Sequence, residues 1–183
     1  NHCNLCDLVA VDVPAGEAAQ SLPFGITFFS AAASQATLLA AARAFSVHAD
    51  VTVAVCGQHM RGFALHAQLE DLGAEFLRTA KTTPRYRLFA LPTSPVKPGL
   101  LQVDAGGASI EVELYRMSAE SFGALVASVP APLGFGTVKL EDGTHVKGFL
   151  VETCAVISEG NATIAGVKEI TACGSFASFM KRR

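Results

Sequence analysis

Val51-Thr-Val-Ala-Val-Cys56-Gly57-Gln58-His59-Met60-Arg61-Gly62 is the stretch that decides how this chain is read. A β-branched apolar strand runs into a tight glycine turn, and a histidine follows one step past it. Phe63, Ala64, Leu65, Ala67, Leu69 and Leu72 then recur at a spacing that predicts a short helix over Phe63 to Leu72. Strand, glycine turn and helix leave backbone N–H groups pointing outward. Such a turn can cradle a carboxylate or phosphate and hold His59 beside it. A structural histidine at a strand end fits the same pattern, so the local sequence leaves both readings open.

Composition narrows the class. The 183 residues are 50% hydrophobic and 16% charged, which suits one folded domain, or one domain with a fragment, and excludes disorder. A net charge of −2 gives no footprint for nucleic acid, and Lys181-Arg182-Arg183 reads as a solvated end. Each apolar run is interrupted before membrane-spanning length, so no membrane partner is expected. The five cysteines are scattered, and no signal-peptide pattern precedes them; reduced thiols in a cytoplasmic protein are the simplest account. Cys3-Asn-Leu-Cys6 lacks the second pair or histidine cluster that a zinc site needs, so no metal or cofactor is expected. Asn161-Ala-Thr163 matches a glycosylation sequon by pattern only. The chain starts with Asn, which suits a piece of a longer polypeptide.

Two segments differ in character. Residues 1–49 read as strand (Leu8 to Val13), a Pro14-Ala-Gly16 turn, strand (Gly25 to Ser30) and an Ala/Leu-rich helix from Gln35 to Phe45 capped by Ser34. This β-β-α piece is too small to close a core. Residues 50–183 are dense in short strands: Glu75 to Thr82, Tyr86 to Leu91, Leu100 to Asp104, Ser109 to Arg116, Gly136 to Leu140 and His145 to Val156. Ala105-Gly106-Gly107 reads as a hairpin connection, and so does Glu141-Asp-Gly-Thr144, where Asp-Gly is the favoured turn pair. Ile110, Val112 and Leu114 alternate with Glu111, Glu113 and Tyr115, the mark of a half-buried strand. Ser118 caps a helix that Pro130 and Pro132 stop, and a last helix spans Ser175 to Lys181. The expected fold is α+β: a small mixed β-barrel, closed or nearly closed, flanked by helices.

Several stretches resemble one family. Val55-Cys-Gly57-Gln58-His59-Met60-Arg-Gly62-Phe-Ala-Leu65 is similar to the turn that opens the C-terminal domain of allophanate hydrolases. Tyr86-Arg-Leu-Phe-Ala-Leu-Pro92, Lys97-Pro-Gly-Leu100, Gly106-Gly-Ala-Ser-Ile-Glu-Val112, Pro130-Ala-Pro-Leu-Gly-Phe-Gly136 and Lys168-Glu-Ile-Thr171 continue it in order. Upstream, Asp7-Leu-Val-Ala-Val-Asp-Val-Pro14 and Leu22-Pro23-Phe-Gly25 resemble the closing strands of an amidase-signature domain, without that domain's serine and lysine motifs.

The resemblance implies a γ-glutamyl cyclotransferase-like fold for residues 50–183, with Cys56-Gly57-Gln58-His59 in the place of the substrate-binding loop. It also implies an amidase domain or chain as partner, which releases ammonia from allophanate to leave N-carboxycarbamate. The C-terminal domain then promotes decarboxylation within urea degradation, with the turn histidine as acid/base group. Oligomeric state stays open, a homodimer included. Breaking the C–N bond leaves charge on nitrogen unless a proton arrives, a task suited to an imidazole, so His59 is the catalytic candidate.

A substrate with two carboxylate-like ends needs cations or clustered donors. Backbone amides from Gly57 to Met60 supply one cluster; Arg61 and Lys97 are the nearest cations, although Arg61 also reads as a solvated side chain. Gln58 and Gln68 can hydrogen-bond a carboxylate or cap backbone groups, and Leu133 and Gly134 shape a cavity wall or an ordinary turn. His66, Phe176 and Gln102 stand where the family has asparagine, tryptophan and arginine. The Pro130 to Gly136 run holds no glutamate for a cyclotransferase acid/base role. Two other readings remain: a non-catalytic docking domain for an amidase, and a cyclotransferase-like enzyme acting on another small amine.

Overall fold

The computed structural model describes residues 8–18, 22–31, 34–45, 50–158 and 162–183, so the Cys3/Cys6 pair and Asn161 lie outside the described residues. The chain divides into two compact units, Asn1–Ala49 and Asp50–Arg183. In the first, β1 (Leu8–Ala18) and β2 (Leu22–Ala31) pair antiparallel, and α1 (Gln35–Phe45) follows. The expected turn at Pro14-Ala-Gly16 does not reverse the chain. β1 runs through it with a register shift between Pro14 and Gly16, since a bulge tolerates a proline with no N–H to offer the ladder.

The second unit holds a five-stranded mixed sheet in the order β4-β7-β3-β9-β8 and a three-stranded sheet in the order β10-β5-β6. Their strands are β3 (Asp50–Val55), β4 (Glu75–Lys81), β5 (Tyr86–Ala90), β6 (Pro98–Gln102), β7 (Glu111–Ser118), β8 (Leu133–Lys139), β9 (His145–Val151) and β10 (Lys168–Glu169). The helices are α2 (His66–Asp71), α3 (Ala119–Ser128) and α4 (Phe176–Lys181). Ser118 and Ser175 cap α3 and α4, accepting the amides of Ser121 at 3.1 Å and Ser178 at 3.0 Å.

The α+β class holds, but the barrel is not closed. The edge strands β4 and β8 meet at a single bridge, Thr82 to Leu140, reinforced by Thr83 N–H to Lys139 C=O at 2.9 Å. Elsewhere β4 pairs only with β7 and β8 only with β9. The hairpin expected at Ala105-Gly106-Gly107 is also corrected. β6 pairs with β5, not with β7, so this turn carries the chain from one sheet to the other. Gly107 permits that crossing: a Cβ there would lie 2.6 Å from the Tyr86 backbone nitrogen. The Asp142-Gly143 hairpin joins β8 to β9 as read, with Gly143 at φ 85°.

β7 is buried on both faces rather than half-buried, because it lies between β3 and β4 with cores on either side. Val112 and Leu114 join Ala54, Leu88, Leu100 and Phe176 on one side. Tyr115 and Met117 join Val53, Val55, Leu69 and Leu125 on the other. Glu113 is buried with them because its carboxylate is satisfied: it accepts the Arg61 backbone N–H at 2.9 Å, Arg61 Nε at 3.0 Å and the Tyr115 hydroxyl at 2.9 Å. These bonds hold Glu113 in its ionised form against its burial. No helix among the described residues is long and apolar enough to cross a membrane.

Phe176 is fully buried, with Phe63 and Phe179 packed on its ring. Truncation there leaves a cavity at the centre of the first core. Phe176→Ala is expected to lower unfolding free energy by about 3–5 kcal/mol in urea denaturation. A loss below roughly 1 kcal/mol, the size of an ordinary surface change, would contradict this packing.

Candidate active site

The turn after β3 is tied from several directions. Met60 N–H donates to Gly57 C=O and Leu65 N–H to Gln58 C=O, both at 2.9 Å, while Gly62 takes φ 83°. This compact turn holds residues 63–65, so the helix begins at His66 rather than at Phe63. Gln58, buried, donates its side-chain amide to Val96 C=O at 2.6 Å and so joins the turn to the segment before β6. Gly57 faces Pro98 so closely that a Cβ would sit 2.2 Å from the proline Cγ.

Between these pieces lies a cavity of about 200 Å³. One side is the turn (Val55 to His59), with Leu65 and Gln68 of the following segment. Lys97 and Pro98 form another, Ser128 to Pro130 and Leu133 a third, and Phe149 of β9 completes it. The His59 ring stacks on Phe149, with centroids 4.9 Å apart and planes 20° from parallel. Its Nε2 lies 2.9 Å from Gln68 Oε1. Burial lowers the imidazole pKa below its ordinary value; the Gln68 hydrogen bond opposes this, and the charges of Lys97 and His66 add to it. At neutral pH the ring is therefore uncharged.

Lys97 has no carboxylate partner among the described residues, and neither Asp nor Glu lines the cavity. Burial pushes the Cys56 thiol up to about 12, so it stays protonated and is a poor nucleophile. The site is thus a mostly apolar hollow with one free cation, one neutral imidazole and two side-chain amides. That is a setting for a small anion.

Of the residues singled out in the sequence, the fold brings Gly57, Gln58, His59, Gln68, Lys97 and Leu133 to this cavity. Met60, Arg61 and Gly134 are not among the residues that line it. Met60 is buried in the second core, and its amide is already bonded to Gly57. Arg61 turns to Glu113, its guanidinium 3.7 Å from the Phe76 ring centroid. Gly134 pairs with Leu150 inside the β8–β9 ladder.

His66 is half-buried and does not join the cavity: its Nδ1 donates to the His59 carbonyl at 3.1 Å, and its Nε2 lies 3.7 Å from Glu70 Oε1. Nothing in the structure explains Gln102, which is exposed on β6. Sequence reading missed Ser128 and Phe149. A serine ending a helix and an aromatic inside a strand carry no local signal that distinguishes a site from a core.

The sequence profile of the allophanate hydrolase C-terminal domain matches residues 51–181. Urea amidolyase of Saccharomyces cerevisiae is 35% identical over 99% of this chain, and that of Lachancea kluyveri 34% over 98%. Kluyveromyces lactis allophanate hydrolase superposes with TM-score 0.65 at 34% identity, covering 98% of this chain. A uropathogenic E. coli-specific protein gives TM-score 0.64 at 33% identity, covering 73% of this chain and 98% of its own. The sheets and the cavity beside the turn after β3 are those of an α+β domain. The chain belongs to the allophanate hydrolase C-terminal domain family. It spans 11% of the length of these curated relatives and 34% of the K. lactis allophanate hydrolase chain.

Because the Lys97 charge holds the His59 pKa down, Lys97→Met is expected to raise it. Titration of the His59 ring resonances by NMR checks the direction; an unchanged or lower value would show that the two groups do not interact.

Proposed function

We propose that residues 50–183 promote decarboxylation of N-carboxycarbamate, with His59 as the general acid/base. We further propose that residues 1–49 are the closing strands of an amidase-signature domain that supplies this compound in the full-length protein. The names of the relatives, urea amidolyase and allophanate hydrolase, support the chemistry. The observation that carries the reading is the pairing of Lys97 and His59 across a cavity with no carboxylate in its lining.

The substrate dianion carries two carboxylates on one nitrogen. Lys97 takes one of them, with the side-chain amide of Gln58 and the turn amides not used in the Gly57–Met60 and Gln58–Leu65 bonds. A dianion beside the ring offsets the Lys97 charge and favours the imidazolium against the larger opposing effect of burial, so the ring gains a proton on binding. The C–N bond to the other carboxylate then breaks, its electron pair stays on nitrogen, and the imidazolium delivers its proton there. The products are CO₂ and carbamate, with neutral His59 ready for another proton. Apolar walls from Val55, Leu65, Val129, Leu133 and Phe149 favour a step that turns a carboxylate into neutral CO₂.

A site lined by no carboxylate does not suit cyclotransferase chemistry with a glutamate acid/base. A docking domain would not need the Lys97–His59 pairing.

His59→Ala is expected to lose the acceleration of CO₂ release from N-carboxycarbamate supplied by an isolated amidase. The loss expected of a general acid/base is about 10²- to 10⁴-fold, down to the spontaneous rate if that is faster. Equal CO₂ release by His59→Ala and wild type would sink the catalytic role and leave the docking reading.

A further inference from the structure

We propose that Gln68 and Ser128 are positioning residues that fix His59 as its Nε2–H tautomer, so that Nδ1 is the nitrogen through which the ring exchanges its proton with a bound ligand. The catalytic consequence rests on the function proposed above; the tautomer itself does not.

The assignment follows from counting donors along one chain of contacts. α3 ends at Ser128, and its terminal carbonyls lack the helical partners that interior ones have. The Val129 N–H goes to Val126 C=O, and the Ser128 hydroxyl donates to Leu125 C=O at 2.8 Å. A carbonyl only accepts, so the single hydroxyl proton of Ser128 is committed there. Ser128 Oγ must then accept from its other neighbour, the Gln68 side chain 2.9 Å away, and only the amide nitrogen can donate. That fixes the amide with Oε1 towards His59, 2.9 Å from Nε2. Oε1 has no proton to give, so Nε2 carries the hydrogen.

In the neutral ring this leaves the lone pair on Nδ1. Among the described residues Nδ1 has no hydrogen-bond partner, and it is not sealed from solvent, since the one buried unpartnered side-chain polar atom is Thr83 Oγ1. Gln68 accepts from Nε2 whether the ring is neutral or charged, so titration takes place at Nδ1 alone. The stack on Phe149 holds the ring plane while the proton comes and goes. The other titratable groups around the ring are Lys97, His66 and Cys56. His66 is turned onto the His59 carbonyl, and the Cys56 thiol stays protonated. The end of α3 thus reaches the ring through two side chains, and no conformational change is needed for the shuttle to reset.

Long-range ¹H–¹⁵N correlation spectra of the 183-residue chain, recorded above the His59 titration, report the tautomer without substrate. The wild type is expected to show Nε2–H alone. Ser128→Ala frees the Gln68 amide to rotate and present its NH₂, so a Nδ1–H population appears. Gln68→Leu removes the acceptor and also admits Nδ1–H. Gln68→Glu restores an obligatory acceptor, keeps Nε2–H and moves the His59 titration to higher pH through its negative charge. A Nδ1–H wild type, or Ser128→Ala and Gln68→Leu proteins that remain folded with the wild-type pattern, would overturn the assignment. If the tautomers behave as expected while CO₂ release is not accelerated by the wild type, the function fails and this inference stands.

Discussion

The contact between Gly57 and the Pro98 ring is the constraint on which the site depends. With no Cβ at position 57, the turn after β3 lies directly on the segment that enters β6, and the two loops become opposite sides of one hollow. Gln58 secures the approach through Val96, and Glu113 pulls on the Arg61 amide from the opposite side. His59 sits between these anchors. Its position follows from backbone bonds in a turn, a geometry far stiffer than a side chain on an open loop.

Charge is sorted by the same framework. Glu113, the acidic residue nearest the turn in the contacts described, is committed to Arg61 and Tyr115 beneath it. Arg61 is neutralised at that point and points away from the cavity. Lys97 is left without a carboxylate partner among the described residues, in the same cavity as a ring that burial keeps neutral. The cation draws an anion into the apolar hollow, and an anion beside the imidazole favours its protonated form. The arrangement keeps the Arg61–Glu113 ion pair outside the cavity that Lys97 lines.

The sequence was most legible where local chemistry has few solutions. Val51 to Val55 as strand, the glycine turn, the Ser118 cap of α3 and the Asp142-Gly143 hairpin all follow from residue type and spacing. Non-local matters were not legible. Gly107 looks like a hairpin glycine, yet it serves a crossing between sheets because Tyr86 runs beside it. Glu113 looks like the polar face of a half-buried strand, yet its partners come from 52 residues away and from Tyr115. The strand expected from Leu100 opens instead at Pro98, since a first strand residue can lack a donor. Of the candidate site residues, Gly57, Gln58, His59, Gln68, Lys97 and Leu133 fall around one cavity. Arg61 falls outside it, and a cation beside a histidine gives no hint of a buried carboxylate on another strand. The Ser128 relay depends on where a helix ends in space, which no spacing rule encodes.

The central claim is that His59 and Lys97 together form a seat for a small dicarboxylate. Soaking crystals of this chain with malonate, which matches the proposed substrate in placing two carboxylates on one central atom, tests that most directly. One malonate carboxylate is expected on Lys97 Nζ, with the other end of the molecule against His59 Nδ1, and Lys97→Met should weaken solution binding by about tenfold, or 1.4 kcal/mol. Malonate density absent from this cavity, with binding in solution indifferent to Lys97, would contradict the account.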